Sequence, residues 1–308
     1  MIITLTPNTG IDYSLQVSSF QLNHTIRAVD TAWGMGGKAT DVSWILGKLG
    51  APTRALGFAA GSNGQHMETM LRERAVETDF IWVDGETRLN TVLVVPGEGQ
   101  STTTSSTLNV SPEHLSKFRK RYQETLEDAT CVVMGGSLPS GLSPEFYAAA
   151  IVEAQERNVP VIFDSSGPSL AAGIKSRPDL IKPNQAELHD FLGYRPTSQQ
   201  EVKQAAEKLC QDYGTNVIVT LGGEGAIAVF RDASYFIHPI SIPVVSAAGA
   251  GDGVLAGMAL AYSRQESLVY GLQHGFALAS AILKTLATAD FEVKDYQELL
   301  SQINIQRL

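Results

Sequence analysis

From residue 111 onward the chain alternates short apolar segments with longer amphipathic ones, and this alternation restricts the fold more than any other feature of the sequence. Cys131–Met134, Val161–Asp164 and Val217–Leu221 are typical of buried strands. Segments with helical periodicity, such as 112–126 and 144–157, lie between or beside them. Strands that alternate with helices form a parallel sheet covered by helices. The sequence therefore predicts a doubly wound, mostly parallel α/β sheet with helices on both faces.

Two other segments, about 12–32 and 80–107, have the weaker alternation that is typical of short strands in a small sheet. We expect them to form a β-sheet lid beside the larger sheet. A chain of 308 residues is long for one domain and short for two. We therefore predict a single domain, 1–308, that carries this lid.

The charge and the cysteine content restrict the class of function. The formal net charge of -9 and the lack of a basic stripe argue against nucleic acid as a partner. No apolar run reaches the length of a membrane span. Cys131 and Cys210 lie far apart in apolar surroundings, without metal-ligand spacing. We expect a cytoplasmic enzyme with two buried free thiols and with neither nucleic acid nor membrane as a partner.

The stretch Val244–Gly257 joins a β-tending segment to an apolar helical run through a turn of small residues. Gly249 and Gly251 allow close approaches that a Cβ would block, and the free N–H groups at a helix start favour an anion. Asp252 would repel a phosphate, so it fits the role of a general base that takes a proton from a hydroxyl. The alternative is a glycine-rich helix start with Asp252 as a capping residue.

Four loops follow predicted strands, at 135–141, 182–187, 222–225 and 247–252. Ligands of such α/β folds bind beyond the carboxyl ends of the strands. We expect the four loops to line one edge of the sheet, which favours the catalytic interpretation of Asp252.

Polar residues nearer the N-terminus allow two interpretations each. Lys38 and Asp41 follow a glycine-rich turn that is not a Walker A loop, because Ala39 replaces the required Ser or Thr. They could face a substrate or belong to a plain turn. Arg88 and Asn90 share one face of a strand, which could bind an anion or be solvated.

Other candidates also have a structural alternative. Asn184 and Glu187 have the spacing of a capping box, and they could equally lie near a hydrated Mg²⁺. Asp12, after the first strand, could bind a ligand hydroxyl or lie at the surface. The small residues around Ala279 are typical of helix packing, and a flat adenine could lie against them.

Taken in order, the motifs resemble the PfkB (ribokinase-like) carbohydrate kinase family over essentially the whole chain. The motifs are Gly36-Gly37-Lys38, Gly136-Ser137-Leu138-Pro139, Lys182-Pro183-Asn184 with Glu187, Thr220-Leu221-Gly222 with Gly225, and Ala247-Ala248-Gly249-Ala250-Gly251-Asp252. Thr87-Arg88-Leu89-Asn90 and the motif at 136–139 are similar to the 1-phosphofructokinase and tagatose-6-phosphate kinase branch. Members of that branch phosphorylate sugars that already carry a phosphate.

The resemblance implies a ribokinase-like fold, ATP and Mg²⁺ as cofactors, a sugar or sugar phosphate as acceptor, and a homodimer through the lid. It also implies a role for each matching residue. The general base would be Asp252, with Gly249, Ala250 and Gly251 as the anion hole. The acceptor would contact Asp12, Gly37, Lys38, Asp41, Asn90 and Ser137, with Arg88 on its phosphate. ATP would contact Lys182, Asn184, Thr220, Gly222, Gly225 and Ala279, and Asn184 and Glu187 would hold Mg²⁺ through water.

The sequence departs from the branch in the part that would bind the sugar. Ala39 and Asp41 replace a glycine and an asparagine, and a carboxylate only accepts where an amide also donates. A kinase of an unphosphorylated sugar or nucleoside therefore stays open, as does a non-catalytic regulator that binds sugar or nucleotide on the same scaffold. A nicotinamide-dependent oxidoreductase is disfavoured, because Pro7-Asn8-Thr9-Gly10 stands where Gly-x-Gly-x-x-Gly would be required.

Overall fold

The computed structural model describes all residues, Met1 to Leu308. The strands are β1 (Ile2–Asn8), β2 (Gly10–Gln16), β3 (Asp30–Gly36), β4 (Thr53–Ala59), β5 (Glu77–Trp82), β6 (Arg88–Val95), β7 (Gly99–Thr104), β8 (Cys131–Gly135), β9 (Val161–Asp164), β10 (Leu180–Ile181), β11 (Asn216–Thr220), β12 (Ala226–Val229), β13 (Ser234–Ile237) and β14 (Ile305–Arg307). The α-helices are α1 (Lys38–Lys48), α2 (Gly61–Glu73), α3 (Pro112–Thr125), α4 (Glu145–Gln155), α5 (Gly167–Gly173), α6 (Gln185–Leu192), α7 (Gln199–Tyr213), α8 (Ala250–Arg264), α9 (Leu268–Ile282) and α10 (Val293–Leu300).

The larger sheet has ten strands in the order β14-β13-β12-β11-β10-β9-β8-β1-β4-β5. The strands from β11 to β5 are parallel, and β12, β13 and β14 extend one edge antiparallel. Side chains alternate between two hydrophobic clusters: Ile2 belongs to the cluster with α1, α2, α8, α9 and α10, and Ile3 to the one with α3 to α7. The predicted α/β fold with helices on both faces is confirmed.

The smaller sheet has the order β3-β2-β6-β7, with β2 and β6 parallel and the other two pairs antiparallel. The predicted segments overlap these strands only in part, because β2 begins at Gly10 and β3 extends to Gly36. Residues 77–82 form β5 of the larger sheet, where Phe80 is buried in the same cluster as Met67 of α2. Residues 17–29 form no strand. Alternation alone could not distinguish an edge strand of the larger sheet from a lid strand.

The chain passes from one sheet to the other without a loop. Pro7-Asn8-Thr9-Gly10 has the composition of a turn, but it forms none, because β1 continues to Asn8 and β2 begins at Gly10. On the return, β3 ends at Gly36 and Gly37, with φ of 107°, leads directly into α1. Because β2 continues from β1 and β3 leads into α1, both lid strands are held beside the ends of the core strands.

Neither cysteine forms a disulfide. Cys131 is buried, as expected, but Cys210 on α7 is only partly buried. None of the helices combines the length and the apolar character that crossing a membrane requires.

Candidate active site

The start of α8 has two unused backbone donors. Gly249, with φ of 81°, is the N-cap residue, and a Cβ there would overlap the backbone of Ala289. The N–H groups of Asp252 and Gly253 donate to the Gly249 carbonyl, whereas those of Gly249 and Gly251 donate to no protein group. Free donors at the N-terminus of a helix attract an anion, so this turn can hold a negatively charged group.

Asp252 lies in the first turn of α8 and is 8% exposed. The N-cap is Gly249 and no side chain caps this helix, so Asp252 is not the capping residue that the alternative interpretation required. Burial raises the pKa of Asp252 to about 7, although the positive charges of Lys38 and Lys182 oppose the increase. A carboxylate with this pKa can accept a proton near neutral pH.

Asp164, at the end of β9, connects two lysines beside this turn. Its carboxylate oxygens lie 3.0 Å from Lys38 Nζ and 3.2 Å from Lys182 Nζ. Burial alone would raise the pKa of Asp164, but Lys182 and Lys38 outweigh it and hold the pKa below its usual value. A Cβ on Gly251 would lie 3.1 Å from Lys182 Nζ, so this amine borders the free N–H groups.

Asp164 was not among the predicted site residues. The run Val161–Asp164 predicts a buried strand, but the carboxylate that ends this strand belongs to none of the motifs. An acidic residue at the carboxyl end of a buried parallel strand points to the edge where ligands bind. That position was the signal that could have found it.

Polar side chains of the lid face the same edge. Asn90 Nδ2 donates to Asp12 Oδ1 over 2.7 Å, and both residues are buried. A Cβ at Gly36 would collide with the Asp12 carboxylate, so this close approach requires glycine. The Asn90 amide oxygen has no partner. Asp12 and Asn90 therefore offer a hydroxyl-bearing ligand both an acceptor and a preoriented amide.

Arg88 has no carboxylate partner. Its Nη1 lies 3.5 Å from Ser137 Oγ, and its buried Nε makes no hydrogen bond. Asn8, at the end of β1, donates to Ser137 over 3.0 Å. The Arg88 guanidinium can therefore bind an added anion through its fork of donors. Asn8 was not among the predicted site residues, although its position at a strand end would have identified it.

Asp41, in the first turn of α1, is 5% exposed and lies within hydrogen-bonding reach of the Asp252 carboxylate. Burial and then the charge of Asp252 raise the pKa of Asp41 well above its usual range. Two carboxyl groups this close share a proton rather than both ionising. Oδ1 of Asp41 has no hydrogen-bond partner and can accept one from a ligand.

On the other side of Lys38, Asn184 and Glu187 form the predicted capping box of α6, with both reciprocal hydrogen bonds at 2.9 Å. The remaining carboxylate oxygen, Glu187 Oε1, lies 3.2 Å from Lys38 Nζ. No group of three or more acidic, His or Cys side chains could hold a metal ion. A Mg²⁺ ion here would keep most of its ligands as water and phosphate, which suits this ion.

The remaining predicted residues lie on neighbouring elements. Thr220 forms a β-bridge with Asn184, and Gly222 and Gly225 follow with φ of 59° and 93°. Ala279 on α9 packs against Gly253 of α8, as helix packing predicts. These residues occupy the edge beyond β10 and β11, next to α8.

Residues 7–294 match the pfkB family carbohydrate kinases. The chain belongs to this family. As a pfkB kinase with 1-phosphofructokinase relatives, it is an ATP-dependent sugar kinase.

Three relatives match this pfkB kinase over nearly their whole length. A Bacillus subtilis 1-phosphofructokinase is 32% identical over 310 residues and covers 100% of both chains. The structure of a possible 1-phosphofructokinase from Thermotoga maritima has a TM-score of 0.90 at 25% identity, covering 100% of this chain and 99% of the other. Phosphofructokinase-2 from Escherichia coli, in a tetrameric inhibited form, has a TM-score of 0.87 at 25% identity, covering 98% of both chains.

Proposed function

We propose that this pfkB kinase transfers the γ-phosphoryl group of ATP to a hydroxyl of a phosphorylated ketose, with fructose 1-phosphate as the first candidate. The observation that carries this proposal is Arg88. Its guanidinium has no carboxylate partner, and the residue lies two positions before Asn90, on the same face of β6. Asp12 and Asn90 would bind the hydroxyls of the sugar, and Arg88 its phosphate. The relatives named 1-phosphofructokinase support the same substrate class.

In this reaction Asp252 takes the proton of the acceptor hydroxyl, whose oxygen forms the new bond to the γ-phosphorus while the bond to ADP breaks. The free N–H groups of Gly249 and Gly251 form the anion hole for the transferring group. Ala250, also expected there, lies between them, but its N–H donates to the Ala247 carbonyl over 3.4 Å. Lys38, Gly37 and the rest of the α1 turn border the acceptor. Each of these groups is held by the fold before substrate binds, so little reorganisation accompanies the transfer.

The nucleotide lies, in this proposal, along the strand ends beyond β10 and β11. Lys182 contacts its phosphates, and the nucleotide borders Asn184, Thr220, Gly222, Gly225 and Ala279. Mg²⁺ would supply charge neutralisation of the phosphates, with Asn184 and Glu187 holding its water ligands. Glu187 suits this indirect role because its carboxylate oxygens already accept hydrogen bonds from the protein.

We further propose one domain, 1–308, whose smaller sheet is the lid, in a protein of the cytoplasm. The outer face of the lid has a groove lined by Phe20, Leu93 and Val95, and Trp33 is also exposed. These apolar residues favour a homodimer through the lid.

Replacing Arg88 with alanine tests the acceptor class. We expect the KM for fructose 1-phosphate to rise about 30-fold, because the variant loses a charge-assisted contact worth about 2 kcal/mol. The KM is measured by steady-state turnover with six acceptors: fructose 1-phosphate, fructose 6-phosphate, tagatose 6-phosphate, free fructose, ribose and a nucleoside. Arg195→Ala, at an exposed arginine outside the site, is the matched control.

If the wild type used only an unphosphorylated sugar or nucleoside, the Arg88 proposal would be wrong and the buried carboxyl of Asp41 would become the main determinant of specificity. A protein that binds ATP but phosphorylates none of these acceptors would favour the regulator. Turnover on a phosphorylated ketose that Arg88→Ala leaves unchanged would also contradict the proposed position of the phosphate.

The buried carboxyl of Asp252 predicts the acidic limb of the pH profile. Because burial raises the pKa of Asp252 to about 7, kcat/KM should rise as the pH increases through 7. In Asp41→Asn the amide still donates a hydrogen bond to Asp252, so this rising limb should remain near the same pH. A wild-type kcat/KM that does not change through pH 7 would contradict Asp252 as the base.

A further inference from the structure

A side chain of the lid contacts the loop that leads into the anion hole. Gln100, on the edge strand β7, accepts through Oε1 from Ser246 Oγ over 3.0 Å and from the N–H of Ala247 over 2.8 Å. Ser246 Oγ in turn accepts from the N–H of Ala248 over 3.2 Å. The lid therefore holds the two N–H groups that precede Gly249. The N–H of Ala247 bonds to Gln100 directly, and that of Ala248 is linked to it through the Ser246 hydroxyl.

Apolar contacts join the same two parts. Gln100 pairs with Val94 in the lid, so the two side chains share the inner face of the sheet. Val92 and Val94, two residues apart on this face, are buried with Leu286, and Ala248 packs against the same cluster. The polar contact of Gln100 thus lies beside a hydrophobic cluster that also bridges the lid and the loop.

The segment that contains Leu286 lies between the lid and the anion hole. A Cβ at Gly34 of β3 would lie 2.6 Å from the backbone nitrogen of Thr288. The next residue, Ala289, donates its N–H to the Ala248 carbonyl over 3.2 Å, and its backbone abuts Gly249. The lid, this segment and the anion-hole loop are consequently in continuous contact.

We propose that Gln100 is a positioning residue that couples the lid to the anion hole. It orients 246–248 so that the free N–H groups of Gly249 and Gly251 point at the transferring phosphoryl group when the lid lies over the acceptor. This inference rests on the proposed function. Donors stabilise a transition state only when they are already oriented toward the developing charge, and lid closure is one way to orient them. Gln100 itself contacts no reacting group.

Hydrogen exchange of the unliganded protein tests the contact without any turnover. In Gln100→Ala the Ala247 amide should exchange about five-fold faster, the factor that corresponds to about 1 kcal/mol for one hydrogen bond. Gln100→Glu keeps an acceptor oxygen and should restore the protection. Ser101→Ala, next on the same exposed strand and on its other face, is the control and should leave Ala247 unchanged. Equal exchange at Ala247 in the wild type and Gln100→Ala would overturn the proposal.

Kinetics then test the coupling. We expect Gln100→Ala to lower kcat about five- to ten-fold while the KM for ATP changes less than two-fold, because the orientation of the anion hole is lost and the nucleotide contacts remain. Ser246→Ala removes the hydroxyl that links Gln100 to the Ala248 N–H. The double variant of Gln100 and Ser246 should therefore be about as slow as either single variant. Losses that multiply, or a wild-type kcat in Gln100→Ala, would overturn the coupling. If no acceptor is found, the exchange experiment still decides whether the contact exists.

Discussion

Asp252→Asn is expected to lower kcat by at least about 100-fold, the contribution of a positioned general base. The amide has nearly the shape of the carboxylate but cannot take the proton of the acceptor hydroxyl. ATP binding should persist, because the free N–H groups of Gly249 and Gly251 and the amine of Lys182 are unchanged. Turnover with the best acceptor, together with titration of ATP binding by calorimetry, measures both parts.

The control for this variant is Asp232→Asn, which removes an exposed carboxylate in the connection between β12 and β13. It should retain wild-type turnover. Thermal unfolding checks that Asp252→Asn is folded; because burial penalises the charge of Asp252, removing that charge should not lower the unfolding temperature. Near-normal turnover in a folded Asp252→Asn protein would eliminate Asp252 as the base.

Asp164→Asn is expected to destabilise the protein by about 3 kcal/mol. The substitution leaves Lys182, whose side chain is 4% exposed, as a buried charge without its carboxylate partner, and broken buried ion pairs cost about this much. Because the pKa of Asp164 is lowered on folding, its contribution is complete above about pH 4 and is lost as the pH falls toward the lower pKa of the folded state. Urea unfolding of both proteins at pH 7 and at pH 3 to 4 gives the two differences in the free energy of unfolding.

A second substitution identifies the cause of this destabilisation. If the unpaired lysine is responsible, adding Lys182→Gln to Asp164→Asn should recover part of the lost stability. Asp190→Asn, at an exposed aspartate of α6, should leave the free energy of unfolding within about 0.5 kcal/mol of the wild type. A double variant that is less stable than Asp164→Asn would show that the cost comes from packing rather than from charge.

The sequence predicted the core sheet correctly because that sheet depends on local patterns. A short apolar run before a turn and a helix marks a parallel strand, and the loops after such strands must meet at one edge. The capping box at Asn184 and Glu187 was predicted correctly for the same reason, since both residues belong to one turn of helix.

Features that depend on tertiary contacts could not be predicted. Nothing local assigns β5 to the larger sheet, because its partner β4 is separated from it by a helix. The contact of Asp41 with Asp252 joins two helices that lie far apart in the sequence. The two ion pairs of Asp164 likewise become evident only in the structure, where Lys38 and Lys182 both approach its carboxylate.

The ion pairs around Asp164 also bear on how the nucleotide arrives. Lys38 and Lys182 already have carboxylate partners, and the chain as a whole is acidic. We therefore expect little electrostatic steering of a free polyanion toward the mouth of the site. If the proposed function holds, ATP would enter with much of its charge already neutralised by a divalent cation, and the metal complex would be the species whose encounter with the protein is productive.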